Sequence, residues 1–208
     1  MTKINTVLGT IDPADLGVTL MHEHLVGYDG VMAKCFPQWL DRKVFVEYAC
    51  KILARAKRCG VQTIVDQSTI DMDRQIELIK EVSEKAEINI IVSTGIYNNN
   101  QGWMPQIRPE YLADLIIGEV EHGIMKTGVR PALFKCASYA SGINDNNRKM
   151  LKVAAMVHKA TGIPIGTHSE AQTGCEQQDI LASEGVDLKN VIIGHLGDLF
   201  DISYMKKV

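Results

Sequence analysis

An α/β fold of the (β/α)8, TIM-barrel type, with about six βα units present, is what this sequence predicts, and three observations carry that expectation. Short apolar runs alternate with stretches of helical periodicity from one end of the 208 residues to the other. The runs are almost continuously apolar, as parallel strands covered on both faces must be. Polar residues suited to chemistry stand at the C-terminal ends of several runs, where a barrel builds its site, and the Gly-x-Gly-x-x-Gly of a doubly wound nucleotide-binding sheet is absent. A full barrel takes about 250 residues, roughly 31 per unit, so this length holds six. Without an internal repeat or a linker, residues 1–208 are expected to form one domain.

The elements follow in order. Residues 7–17, punctuated by Pro13 and Gly17, read as a short hairpin or turn. Residues 18–24 form the first strand. After a loop containing Gly27, Gly30 and Pro37, the spacing of Phe45, Tyr48, Ala49, Ile52, Leu53 and Ala56 predicts a helix over 41–59 that stops at Gly60. A strand over 61–66, a helix over 72–86 and a strand over 89–97 come next. Leu112, Leu115, Ile116 and Val120 make the apolar face of a helix entered at Pro109. Residues 130–137 read as the fourth strand. Asp145 is placed to cap a helix running to about 160, and Gly162 to end it before a fifth strand over 163–168. A helix over 175–183 ends at Gly185, a sixth strand spans 191–195, and 201–208 begin a sixth helix.

Composition narrows the function. An apolar share of 46% with 23% charged residues is that of an ordinary globular protein. The net charge is −3 and the 22 basic residues are scattered, which argues against nucleic acid as a partner. No apolar run reaches the roughly 20 residues of a membrane-spanning helix, and the N-terminus carries no apolar signal core. Five cysteines without paired spacing fit free thiols in a reducing cytoplasm.

The chemistry is concentrated in a few places. His22 and His24, in Leu20-Met21-His22-Glu23-His24-Leu25, are two apart on a strand and can reach one ion from the same face. Lys135, His168 and His195 each lie near the C-terminal end of an apolar run. Four imidazoles at one mouth suit a pair of divalent ions such as zinc, about 3.5 to 4 Å apart, sharing a hydroxide nucleophilic at neutral pH. Lys135 is the odd member: an ammonium is a poor neighbour for two cations, so it either lies elsewhere or is chemically altered. Asp66 suits either a partner for a ligand or a turn. His122 and His158 fall on helices and are expected at the surface, Glu23 and Glu170 in structural hydrogen bonds, and Asp198 and Asp201 in a loop and a helix cap.

The runs Thr19-Leu20-Met21-His22-Glu23-His24-Leu25, Phe134-Lys135-Cys136-Ala137, Gly166-Thr167-His168-Ser169-Glu170 and Gly194-His195-Leu196-Gly197-Asp198 together resemble the phosphotriesterase family of the amidohydrolase superfamily. The resemblance spans nearly the whole chain. It implies that Lys135 is carboxylated by CO2 and bridges the two metal ions, with His22 and His24 on the buried ion and His168 and His195 on the exposed one. Thr94-Gly95-Ile96-Tyr97 is more like the lactonase and phosphotriesterase-homology branches, which implies Tyr97 beside the bridging hydroxide and a lactone or related ester as the small-molecule substrate. The family's aspartate from an eighth strand and its loop after a seventh have no counterpart in six units. Two functions are therefore expected in competition: a metal-dependent lactone or ester hydrolase, or a catalytically silent barrel fragment that binds metal or self-associates as a homo-oligomer through open sheet edges.

Overall fold

The structure, a computed structural model, describes residues 3–27, 30–97 and 101–208. A hairpin of β1 (Ile4–Thr6) and β2 (Gly9–Ile11) precedes six longer elements of sheet: β3 (Val18–Glu23), β4 (Val61–Asp66), β5 (Asn89–Gly95), β6 (Leu133–Ser138), β7 (Ile165–Ser169) and β8 (Val191–Gly194). The helices are α1 (Gly30–Cys35), α2 (Arg42–Arg58), α3 (Ile76–Ala86), α4 (Pro109–His122), α5 (Asp145–Thr161), α6 (Gly174–Ser183) and α7 (Ile202–Met205). The expected alternation of strand and helix is present. Contacts gather into two compact units, one of residues 1–94 with 122–132 and one of 95–121 with 133–208.

In the first unit β3, β4 and β5 pair in parallel in that order. Their core is Val61, Ile64, Ile90 and Val92 of the strands against Val46, Ala49 and Leu53 of α2 and Ile76, Ile79 and Val82 of α3. Each such Val, Ile or Leu side chain is worth about 1.5–3 kcal/mol on burial, which holds both helices to one face. Asp41 starts α2 by accepting the Val44 N–H at 3.0 Å. β3 departs from a plain strand. Its register with β4 runs Leu20 with Ile64 and then Glu23 with Asp66, so one extra residue is accommodated at Met21 and His22. Such a bulge re-aims side chains.

In the second unit β6, β7 and β8 are parallel, with Lys135 opposite Gly166 and Ala137 opposite His168. Phe134, Cys136 and Ile165 join Met150, Ala154 and Val157 of α5, Ile116 of α4 and Leu181 of α6 in the core. Strand alternation then turns Lys135 and Ala137 to the other face. The cap of α5 is one residue earlier than expected: Asn144 accepts the Asn147 N–H, and the Asn147 side chain accepts the Asn144 N–H, a reciprocal box. Asp201 caps α7 through the Tyr204 N–H at 2.9 Å, as expected.

Some expectations are corrected. The segment between the first strand and second helix, of which residues 28 and 29 lie outside the described residues, contains α1. The helix expected from residue 72 begins at Ile76, because Ile70–Met72 form a separate 3-10 turn that ends in a left-handed Asp73. His158 is half-buried, its Nδ1 bonded to the Ile163 carbonyl at 2.8 Å, whereas His122 is exposed. All five cysteines are free, and among the described residues no helix is long and apolar enough to cross a membrane.

Among the described residues β3 has one partner strand, and its Val18 and Met21 are 58% and 44% exposed. An open strand edge with apolar side chains is a template for pairing. The chain is expected to associate with a concentration dependence visible in sedimentation, and Val18→Lys with Met21→Lys to reduce that association; equal association of parent and variant would exclude this edge.

Candidate metal and catalytic site

The first unit brings His22 and His24 together, with ring centroids 5.5 Å apart and planes inclined at 66°. The segment after β3 is tied to the end of β4. Asp66, 1% exposed, accepts the N–H of Leu25 at 3.2 Å and of Ser68 at 2.8 Å. Burial raises the Asp66 carboxyl above its ordinary value, against the lowering effect of the Ser68 hydroxyl, of the Ser68 and Leu25 N–H groups and of Arg74. Ser68 Oγ donates to the Val26 carbonyl at 3.2 Å and lies 3.1 Å from His24 Nδ1. The hydroxyl has one proton, for which the Val26 carbonyl and the Asp66 carboxyl are both acceptors. His24 Nδ1 must therefore carry its own proton, which puts the ring's lone pair on Nε2. Ser93 Oγ donates to the Ser68 carbonyl, and Arg74 donates to the Ser93 carbonyl at 3.0 Å, so the support continues one strand further.

The second unit gathers Tyr97, Tyr139, His168 and His195. The His168 and His195 rings are 4.0 Å apart, and Tyr97 stands edge-on to His168 at 5.2 Å. Each histidine is held by a carboxylate: His168 Nε2 by Glu170 Oε1 at 2.9 Å, and His195 Nδ1 by Asp198 Oδ2 at 2.8 Å. A carboxylate only accepts, so those nitrogens carry the protons and the lone pairs fall on His168 Nδ1 and His195 Nε2. Burial holds the His168 imidazole below its ordinary value, with Glu170 opposing the shift and His195 and Lys135 adding to it. The neutral form, which a metal ion needs, is thereby favoured. His195 adopts a left-handed backbone, φ +64°, a conformation that costs a non-glycine residue about 1 kcal/mol or more and turns the chain immediately past β8.

Lys135 is fully buried, and burial pushes its ammonium down to about 7. Its neighbour Cys136, pushed up by burial to about 12, is uncharged at neutral pH and gives no counter-charge. A buried amine that is substantially neutral at pH 7 is a nucleophile. Gly95 determines how close the backbone comes. At φ +103° it occupies a region that side chains avoid, and a Cβ there would sit 2.0 Å from the Lys135 carbonyl oxygen. Gly95→Ala is expected to cost about 3 kcal/mol or more in urea unfolding, and a neutral outcome would show that β6 yields freely.

Among the described residues no group of three or more His, Cys, Asp and Glu side chains is arranged to hold a metal ion, and each unit by itself gathers one pair of imidazoles. Sequence reasoning placed Glu170 and Asp198 in structural or loop roles and did not find Ser68 or Tyr139. The spacings His168-x-Glu170 and His195-x-x-Asp198 are a signal that could have revealed the first two, since a carboxylate two or three residues away can return to the ring.

A family model described as the phosphotriesterase family matches residues 2–208. The phosphotriesterase homology protein of Mycobacterium tuberculosis (strain ATCC 25618 / H37Rv) is 40% identical over 220 residues, covering 100% of this chain and 68% of that protein. The aryldialkylphosphatase of Saccharolobus solfataricus is 35% identical over 203 residues, 96% of this chain and 65% of that one. The phospho-furanose lactonase of Mycoplasmopsis agalactiae is 25% identical over 223 residues, 99% and 63% respectively. The solved structure of the phosphotriesterase from Mycobacterium tuberculosis superposes with a TM-score of 0.92 at 39% identity, covering 99% of this chain and 67% of that one. The fold is thus α/β of the TIM-barrel type with six βα units in this sequence, and the chain spans about two thirds of the length of these relatives.

Proposed function

The chain belongs to the phosphotriesterase family, and from that premise we propose that it is a metal-dependent hydrolase of lactones or related esters. The observation that carries the metal reading is the pair of carboxylate-held imidazoles, His168 with Glu170 and His195 with Asp198, rings 4.0 Å apart. Ligand histidines are commonly fixed in this way, the carboxylate setting the tautomer and the orientation. Imidazole donors suit zinc and similar ions. His22 and His24 would hold one ion and His168 and His195 the other. Two such ions supply a nucleophile from water at neutral pH and polarise the substrate carbonyl.

The chain's own residues prepare that chemistry. The Lys135 Nζ lone pair forms an N–C bond to CO2 while the amine loses a proton, giving an anionic carbamate where an ammonium would repel the cations. Burial that favours the neutral amine supports this step. Tyr97, edge-on to His168, would fix the carbonyl end of a substrate against the second pair. Lactone chemistry is favoured over phosphotriester chemistry by this tyrosine, and one relative is named a phospho-furanose lactonase.

The test sets metal content by mass spectrometry beside turnover of lactone, ester and phosphotriester panels. Two zinc equivalents with lactone turnover are expected. Stoichiometric metal without turnover of any panel would favour the second reading, a metal-binding but catalytically silent barrel fragment.

A further inference from the structure

We propose that Tyr139 is a positioning residue: through its hydroxyl and its ring it holds Tyr97 in place against His168, and Glu170 ties its turn to the same histidine. The proposal rests on the reading of Tyr97 as a residue facing the substrate, and the geometry assigns how that ring is kept there. Tyr97 lies two residues beyond the end of β5, past the ladder that fixes the strand's carbonyls. The Tyr139 hydroxyl donates to the Tyr97 carbonyl at 2.7 Å. The two rings meet edge to face at 5.6 Å, Tyr97 meets His168 edge to face at 5.2 Å, and Tyr139 is tilted against His168 at 6.2 Å. Three rings in mutual contact leave each little freedom, and the edge-to-face arrangement is the favourable one for such pairs.

Tyr139 is itself held. The turn over 139–142 is closed by the Gly142 N–H donating to the Tyr139 carbonyl at 2.9 Å, with Gly142 at φ +87°. The next N–H in the turn, that of Ala140, donates to Glu170 Oε2 at 3.0 Å, while Oε1 of the same carboxylate accepts from His168 Nε2. The contacts form a circuit: Tyr97 on His168, His168 on Glu170, Glu170 on Ala140, and Tyr139 back on Tyr97. Moving any member moves the ring that faces the substrate. Glu170 therefore has two tasks, fixing the His168 tautomer and fixing the turn that presents Tyr139.

The experiment uses the 208-residue chain with its six tyrosines replaced biosynthetically by 3-fluorotyrosine. Tyr97 and Tyr139 are assigned in the 19F spectrum from their Phe variants. In the metal-free chain, Tyr139→Phe is expected to shift or broaden the Tyr97 resonance by several linewidths and to leave those of Tyr48, Tyr111 and Tyr204 in place. Glu170→Gln, should Tyr139→Phe fail to fold, is expected to move the Tyr97 and Tyr139 resonances together. A Tyr97 resonance unmoved in the folded variant overturns the proposal whatever the activity. Where hydrolysis is measurable, Tyr139→Phe should lower kcat about tenfold with KM unchanged, as loss of one hydrogen bond does, and do nothing further in a Tyr97→Phe background. Additive losses would overturn it. A moved resonance in a chain that hydrolyses nothing would leave the positioning intact and remove the functional reading instead.

Discussion

Replacing Lys135 by methionine is expected to make the metal-free chain more stable at neutral pH while abolishing its metal binding. Lys135 is wholly buried, and its ammonium is pushed down from 10.5 to about 7 by loss of water. The unfolded chain binds a proton at this residue below 10.5, and the folded chain does so only below about 7. As pH falls from 10.5 to 7 the unfolded state is therefore progressively favoured, and below 7 the penalty is constant. Methionine fills nearly the same volume without the charge, so in CO2-free buffer at pH 7 the gain should be on the order of a few kcal/mol. At pH 10 it should shrink. Urea unfolding at the two pH values measures both. Metal affinity should fall below detection in Lys135→Met, and in Lys135→Ala a short-chain carboxylate should restore part of it by standing in for the carbamate. A destabilised Lys135→Met chain that still binds metal would mean that this lysine is a structural residue.

The conflict between a buried amine and an apolar strand is also why Lys135 was legible in the sequence. Inside Leu133-Phe134-Lys135-Cys136-Ala137 it breaks the rule that a strand buried on both faces is apolar, and broken rules cluster where function is. The central strands could be found because they bury both faces, as β4, β5 and β6 do almost throughout, whereas β3 and β8 carry no fully buried residue. Element boundaries and supports were harder to see. The bulge at Met21 and His22 is a property of the pairing with β4, which no local pattern encodes. α1 has six residues, too few for a helical period to show. Ser68 and Tyr139 have no signature because a hydroxyl acquires its role from whatever the fold sets opposite it, here His24 Nδ1 and the Tyr97 carbonyl. Asp66 was ambiguous between a turn and a partner of a ligand, and the structure makes it a holder of the backbone beside His24.

Removing that carboxylate is expected to damage the first histidine pair more than any change at the surface of the unit. Asp66→Ala leaves the N–H groups of Leu25 and Ser68 without their acceptor at a position 1% exposed. Each unsatisfied buried donor costs about 1–3 kcal/mol, so the variant should lose about 2–6 kcal/mol in urea unfolding. The consequence for the site is separate. Ser68 Oγ accepts from His24 and donates to the Val26 carbonyl, so a displaced Ser68 releases the His24 ring and the segment that follows it. Loss of such a support typically weakens metal affinity by about 10- to 100-fold. Asp66→Asn keeps one acceptor oxygen but sets an amide N–H against a backbone N–H, and should fall between Ala and the parent on both scales. Metal titration of the folded fraction, at a urea concentration well below each variant's midpoint, separates the two effects. An Asp66→Ala chain that is less stable yet binds metal as tightly as the parent would confine Asp66 to the fold, and His24 would then owe its orientation to the bulge in β3 alone.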